Sequence, residues 1–487
     1  MNKNRLVLLL LILGLLVTSA FIWHSYSNFK VEQGFIPLPL SFDPYTSTSV
    51  YDWQGNKVSI QGGFVKGKIV ETSNKESLLL RSLSPTPIIT LNSSSNTSYL
   101  IRLENISLTK SQPGNGIDNL KVIDSHTISF TVTLNARQTR TIKFTLKSGD
   151  NPEIVMLGDN RNGYGTFSQI IDQVNAINPA FVVDNGDLVY GGEPNRYRLF
   201  YQTVAKLHVP LYTTLGNHDI RANGRKIYTE LFGPPYYSFD YLNNHFVFLD
   251  SSRGWTEKRA IPEAEYRWLE SDLQRAEGKR IFVVSHIPPT DPRATVTQNT
   301  YPELSLAQKN SLLQNEMDKL SGTSDIDHAF NDKAEAQRFE DLMTKYKVDT
   351  VFLSHIHSFY SFVKDNVRYV ITGGAGAELL TKNSYYHYIR VHITNGENYL
   401  EIVQLPSPPN QIIDRYLAAG QMFAISVYKE YTTLVIAIAI YLAIIIGWIL
   451  WIFRQGLWSY LQRIGLWLYQ VAKFTFLKYK EIVRGTK

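Results

Sequence analysis

Glu153-Ile154-Val155-Met156-Leu157-Gly158-Asp159-Asn160-Arg161 is an apolar run that ends in a glycine, a carboxylate, an amide and a guanidinium. Four later blocks follow the same plan. They are Gly186-Asp187 after residues 180–183, Gly216-Asn217-His218-Asp219 after 211–215, Ser285-His286 after 280–284, and Ser354-His355-Ile356-His357 after 350–353. Each apolar run reads as a short buried strand, and segments 168–177, 196–207, 263–276 and 333–346 carry helical periodicity. Strands alternating with helices imply a layered α/β domain, in which ligands collect beyond the carboxyl ends of the strands. Asp159, Asp187, Asn217, His286, His355 and His357 all stand at such ends. Carboxylate, amide and imidazole donors without a thiolate suit Mn, Fe or Zn used as Lewis acids.

Taken in order, the blocks resemble the D-x-H, G-D, G-N-H-D/E, H and G-H-x-H pattern of the calcineurin-like metallophosphoesterases, over roughly residues 152–405. The resemblance implies an α/β fold of four layers, a β-sandwich flanked by helices, that hydrolyses a phosphomonoester or phosphodiester with two divalent or trivalent metal ions (Mn, Fe or Zn). It implies that Asp187 bridges the metals, that Asp159 and His357 complete one, and that Asn217, His286 and His355 complete the other. His218 is then the residue that contacts phosphate and helps protonate the leaving oxygen, with Asp219 orienting it. The implied nucleophile is a metal-activated water. On a strand, the two histidines of H-x-H share a face, which would turn His355 and His357 to the site together.

Arg161 departs from the pattern, because many members of the family have a metal-binding histidine there. A guanidinium cannot ligate a cation and is repelled by one at contact range. Two readings stay open. In one, that metal has a weaker shell and Arg161 clamps substrate phosphate with its fork of donors. In the other, Tyr190 supplies the missing ligand, since Gly186-Asp187-Leu188-Val189-Tyr190 resembles the G-D-x-x-Y of purple acid phosphatases, which bind Fe(III) through that tyrosine. A competing function is a catalytically degenerate phosphoesterase-like binding protein at the cell surface. Gly373-Gly374-Ala375-Gly376 lacks the Lys-Ser/Thr of a phosphate loop and reads as a tight turn near the site. The histidines at 24, 126, 208, 245, 328, 387 and 392 fit no block and read as ordinary structural residues.

The rest of the 487-residue chain sets the context. There is no cysteine, which excludes a thiolate nucleophile, a zinc finger and a disulfide framework. The net charge of +6 is carried by the tail 454–487, where seven Lys/Arg face Glu481 alone, so residues 1–453 balance. Nucleic-acid binding is therefore not the expected main role; membrane topology explains the charge better. Residues 1–24 read as a signal-anchor or signal peptide, and the uncharged segment 432–453 as a transmembrane helix. With basic residues outside both, the termini are expected in the cytoplasm and everything between them outside it. The aromatic, basic tail 454–487 suits a helix lying on anionic lipid. Between the ends, 25–50 reads as a linker, 51–148 as a small all-β sandwich and 152–405 as the catalytic domain. Residues 290–330 read as an excursion near the site mouth, and 406–431 as a connecting helix.

Overall fold

In the computed structural model, the described residues are 34–70, 76–147, 152–254, 256–294, 327–379, 384–394, 398–406 and 462–474, with scattered positions in 12–19 and 420–450. The chain divides into one unit, Lys30–Met422, and a second made of Met1–Phe29 and Phe423–Lys487.

The first unit begins with two six-stranded sheets. One runs β1 (Phe35–Pro37), β5 (Gly63–Ile69), β6 (Glu76–Ser82), β8 (Thr97–Glu104), β11 (Thr127–Leu134) and β10 (Asp118–Asp124). The other runs β2 (Phe42–Asp43), β3 (Thr48–Trp53), β4 (Asn56–Gln61), β7 (Ile88–Asn92), β12 (Thr139–Leu146) and β9 (Ser111–Pro113). Alternate side chains of each sheet point inward, so that Val58, Ile60, Ile89 and Leu91 share one core with Ile101, Leu103, Ile128 and Phe130. Residues 35–50, expected as linker, contribute β1, β2 and the start of β3. Pro37 ends β1 on a sheet edge, where a missing N–H costs no ladder bond, and Pro39 and Pro44 fall between strands.

Two further sheets follow. The five-stranded one runs β15 (Leu211–Thr213), β14 (Val182–Asp184), β13 (Glu153–Leu157), β22 (Tyr386–His392) and β23 (Tyr399–Leu405), with the first three parallel. The six-stranded one runs β16 (Tyr237–Tyr241), β17 (Asn244–Phe248), β18 (Arg280–Val284), β19 (Thr350–Leu353), β21 (Val367–Thr372) and β20 (Phe359–Lys364). In β13, Ile154 and Met156 meet Phe246, Phe248, Phe282 and Phe352 between the sheets. Val155 and Leu157 point the other way, onto Phe167, Ile170 and Val174 of α1 (Tyr164–Ile177). Burial on both faces is why these strands read as unbroken apolar runs. Helices α2 (Pro194–Val204) and α3 (Gly224–Leu231) join α1 on one outer face; α4 (Glu263–Arg275) and α5 (Lys333–Lys345) cover the other. The order of layers is helix, sheet, sheet, helix.

The sandwich seals the open edge of the five-stranded sheet. The Asn105 side chain accepts from Leu211 N at 2.8 Å and donates to Leu211 O at 3.0 Å, supplying β15 with the ladder partner it lacks. Beside it Lys66, with no exposed side-chain surface, donates to Glu104 at 2.8 Å, and Arg81 lies 3.7 Å from the same carboxylate.

In the second unit, residues 462–474 are helical and exposed throughout, Leu466, Trp467, Leu468 and Phe474 included. Among the described residues no helix is long and apolar enough to cross a membrane. The two segments expected to do so, 6–23 and 432–453, lie mostly outside the described residues, as do most of 406–431 and the core of the excursion, 295–326.

Candidate metal centre

All five blocks converge beyond the carboxyl ends of β13, β14, β15, β18 and β19. The chain leaves three of these strands through residues with positive φ: Asp159 at 59°, Asp187 at 56° and His355 at 71°. Such values are uncommon outside glycine and store strain at functional positions. They turn each side chain back across the strand end. The shared face expected of His355 and His357 therefore has another cause: β19 stops at Leu353, and the turn at His355, not strand alternation, brings both rings in.

Asp187 is the hub. His286 Nε2 lies 3.3 Å from its Oδ1, His218 Nε2 4.0 Å and Arg161 Nε 3.3 Å from its Oδ2. On one side His286 Nε2 also meets Asn217 Oδ1 at 3.3 Å, and the His286 and His355 rings are 5.2 Å apart. On the other, His357 Nε2 stands 3.5 Å from Asp159 Oδ1. The six expected ligands thus fall into two half-shells that meet at Asp187. Glycine is required at two close approaches: a Cβ on Gly216 would lie 2.2 Å from Asp187 Oδ1, and one on Gly373 would lie 2.6 Å from Asp159 Oδ2.

The donor set fits cations. Asp159, Asp187 and His286 each offer a ligand atom, all within 4.8 Å of one another. Asp159 Oδ1 and Asp187 Oδ2 are buried and accept no hydrogen bond, which is costly unless a cation faces them; the Arg161 guanidinium stands by the second, and the first has no such partner. The imidazoles are pre-set. A carbonyl can only accept, so contact of His286 Nδ1 with Asn185 O at 2.9 Å, and of His357 Nδ1 with Glu378 O, puts the proton on Nδ1 and the lone pair on Nε2, toward the carboxylates. Burial opposes charge on Asp187, yet His286, His218 and Arg161 hold its carboxyl below the usual range.

His218 uses the same device, with Nδ1 against Tyr190 O at 2.6 Å. Burial first, then Arg161 and Arg221, hold its pKa down to about 3, against the pull of Asp187. Asp219 does not orient this ring. Its carboxylate accepts from the backbone of Gly216 at 2.8 Å, Asp187 at 3.0 Å and Val189 at 3.0 Å, so it braces the two ligand loops instead. Burial, then the Asp187 charge, push its pKa up.

Arg161 lies inside the site, 3.2 Å from His357 Nε2, 3.4 Å from Glu378 Oε1 and against both nitrogens of His218. It crowds the Asp159–His357 half-shell and Asp187, the carboxylate common to both. The Tyr190 ring stands between two guanidinium groups, 5.4 Å from that of Arg161 and 5.2 Å from that of Arg196.

Three neighbours carried no signal in the sequence. Arg221 Nη2 reaches His218 Nε2 at 3.0 Å, Glu378 meets Arg161, and the His328 ring packs 5.1 Å from that of His355. Nothing distinguishes Arg221 or His328 from surface residues by pattern. Glu378 lies two residues beyond the glycine-rich turn, which was the one available hint.

Residues 152–359 match the family description "Calcineurin-like phosphoesterase". They form a calcineurin-like phosphoesterase domain. This superfamily uses dinuclear metal centres, consistent with the Asp159, Asp187 and His286 grouping. Among curated proteins, a probable glycerophosphodiester phosphodiesterase GpdQ of Arcobacter nitrofigilis is 30% identical over 122 residues, which are 23% of this chain and 42% of that protein. A glycerophosphodiester phosphodiesterase GpdQ of Enterobacter lignolyticus is 30% identical over 131 residues, 25% of this chain and 47% of that protein. The chain thus spans less than half the length of these relatives. Similar solved structures include a dimetal phosphatase from Danio rerio, at 11% identity over 52% of this chain and 98% of that one, TM-score 0.38. GAP50 of Plasmodium is 14% identical over 55% and 94%, TM-score 0.35.

Proposed function

We propose that the chain is a membrane-anchored, metal-dependent phosphoester hydrolase whose phosphoesterase domain works outside the cytoplasm. The observation that carries the chemistry is the grouping of buried carboxylates and imidazoles: Asp159 Oδ1, which accepts no hydrogen bond, faces the Nε2 lone pair of His357, and Asp187 Oδ1 faces that of His286. Asp187, Asn217, His286 and His355 would hold one ion, and Asp159, His357 and Asp187 a second, weaker one beside Arg161. Ions of the Mn, Fe or Zn type supply Lewis-acid polarisation of the phosphoryl oxygen and lower the pKa of water. The chain's own groups do the rest. Arg161 orients the phosphoryl group, and His218 presents Nε2 on the site side, where an anionic phosphate raises its affinity for a proton. Tyr190 in this reading is a ring platform for Arg161 and not a ligand, so an iron-loaded protein shows no purple tyrosinate absorption.

Metal analysis of the purified protein, with an aryl phosphate panel run on wild type and Asp187→Asn, tests the reading. Hydrolysis that persists in the variant, or is missing from wild type with every metal added, would sink it. One observation favours the binding-only alternative: Arg161 already contacts the ligand atoms of the Asp159–His357 half-shell.

Membrane attachment is supported by the uncharged run 432–453 and by the exposed apolar side chains of Leu466, Trp467, Leu468 and Phe474 on a helix with basic neighbours. These imply contact with anionic lipid. Protein that leaves the membrane pellet in an alkaline carbonate wash, or an intact domain after protease treatment of spheroplasts, would count against anchoring and against the extracytoplasmic placement respectively.

A further inference from the structure

Arg221 lies in the loop between β15 and α3, two residues beyond Asp219, and is exposed. Its Nη2 lies 3.0 Å from His218 Nε2, and Arg161 reaches the same nitrogen from the loop after β13. A neutral imidazole has a single lone pair. With Nδ1 committed to Tyr190 O, Nε2 is the one acceptor on the ring, and two guanidinium forks compete for it. Arg161 spends its other N–H groups on His357, Glu378 and Asp187, so the two guanidinium groups converge on His218 Nε2, and an anion arriving there would meet both.

The charges around these forks sharpen the point. Asp187 is engaged by Arg161, and Glu193, whose field also reaches Arg221, is paired with Arg196 at 2.8 Å. Burial and then the Arg161 charge oppose protonation of Arg221. Two like-charged forks beside a metal-type centre call for an anion with more than one charge. A phosphomonoester carries nearly two charges on three non-bridging oxygens, whereas a diester carries one charge on two and puts a carbon substituent where the third would be. Guanidinium forks bind such oxygens in pairs, with charge assistance.

We infer that Arg161 and Arg221 form a two-pronged clamp for the non-bridging oxygens of a terminal, dianionic phosphoryl group, so that the site takes phosphomonoesters in preference to diesters. The inference rests on the hydrolase reading above and names its substrate class. It differs from the diester named for the curated relatives, whose similarity spans less than half their length.

The test compares wild type, Arg221→Gln and Arg221→Lys in the full-length protein on an aryl monophosphate and on a bis-aryl diester. Arg221→Gln should raise KM for the monoester by about 10- to 100-fold, the effect of one charge-assisted contact. The diester kcat/KM should fall by a clearly smaller factor, because a diester offers the clamp one charge on two oxygens. Arg221→Lys, which keeps the charge but not the fork, should recover part of the loss. Calorimetry with inorganic phosphate supplies a readout separate from turnover: binding weakens by a similar factor in Arg221→Gln while metal content stays the same. Equal losses on both esters, or a wild type that prefers the diester, overturn the clamp and leave the hydrolase reading standing. If no ester is hydrolysed with Mn, Fe or Zn, that reading fails. Phosphate binding that depends on Arg221 would then still uphold the clamp, and its absence would refute it.

Discussion

The sandwich and the phosphoesterase domain bury ionisable groups in opposite ways. Where the sandwich meets the five-stranded sheet, Lys66, Arg81, Glu104 and Tyr201 close on one another. Glu104 receives Lys66 at 2.8 Å and Tyr201 at 3.1 Å, and Lys66 lies 4.9 Å from the rings of both Phe35 and Tyr201. Burial works against the charge on Glu104, but Lys66 and Arg81 hold its carboxyl low. At the metal centre, Asp159 Oδ1 and Asp187 Oδ2 accept no hydrogen bond, and Arg161, the cation beside the second, is shared among several claimants. Closed networks hold structure together, and a network left open marks where something else is meant to bind.

Substitutions can break that contrast. The largest effect expected is from Asp187→Asn, which should take hydrolysis to background and lower the bound metal, read by turnover and elemental analysis. Glu104→Gln should do the reverse: it strands Lys66 and costs about 3–5 kcal/mol in denaturant unfolding, with turnover per folded molecule unchanged. A stable Glu104→Gln protein would show that the closed network is not what holds the domains. Asp219→Ala stands between the two, because it removes the acceptor of three buried amides yet touches no substrate. A loss of about 2–3 kcal/mol and a fall of about 10- to 100-fold in activity are expected together.

The smallest effect sharpens the comparison inside the catalytic domain itself. His245 lies between Asp240 at 2.8 Å and Asp272 at 2.9 Å, a closed cluster outside the centre. Burial opposes its charge, but the two carboxylates raise its pKa above 6.5. A raised folded value stabilises fully below the unfolded pKa and is lost as pH climbs through the folded one. Stability should therefore decline above about pH 6.5 by about 1 kcal/mol or less after screening. His245→Gln should flatten that slope in unfolding midpoints measured across pH, without changing turnover.

The convergence of Asp159, Asp187, Asn217, His286, His355 and His357 was legible in the sequence because each follows closely on an apolar strand, and both signals are local. That adjacency puts them at strand ends, whereas their ligand roles came from the family resemblance. What escaped were relations set by loop conformation. Asp219 follows His218 in sequence, yet backbone amides at 187, 189 and 216 claim its oxygens, and the carbonyl of Tyr190 holds the imidazole instead. Arg221, Glu378 and His328 reach the centre through turns with no periodicity to read. The strand β1 was hidden by Pro37, which an edge tolerates.

The left-handed backbone at Asp159, Asp187 and His355 bears on the history of the chain. Glycine or asparagine would sit there with less strain, so each position offers drift an easy gain in stability. A lineage no longer selected for this chemistry would move downhill at those positions first. Exchanging any of the three for glycine should therefore relieve backbone strain while removing a ligand atom from the centre.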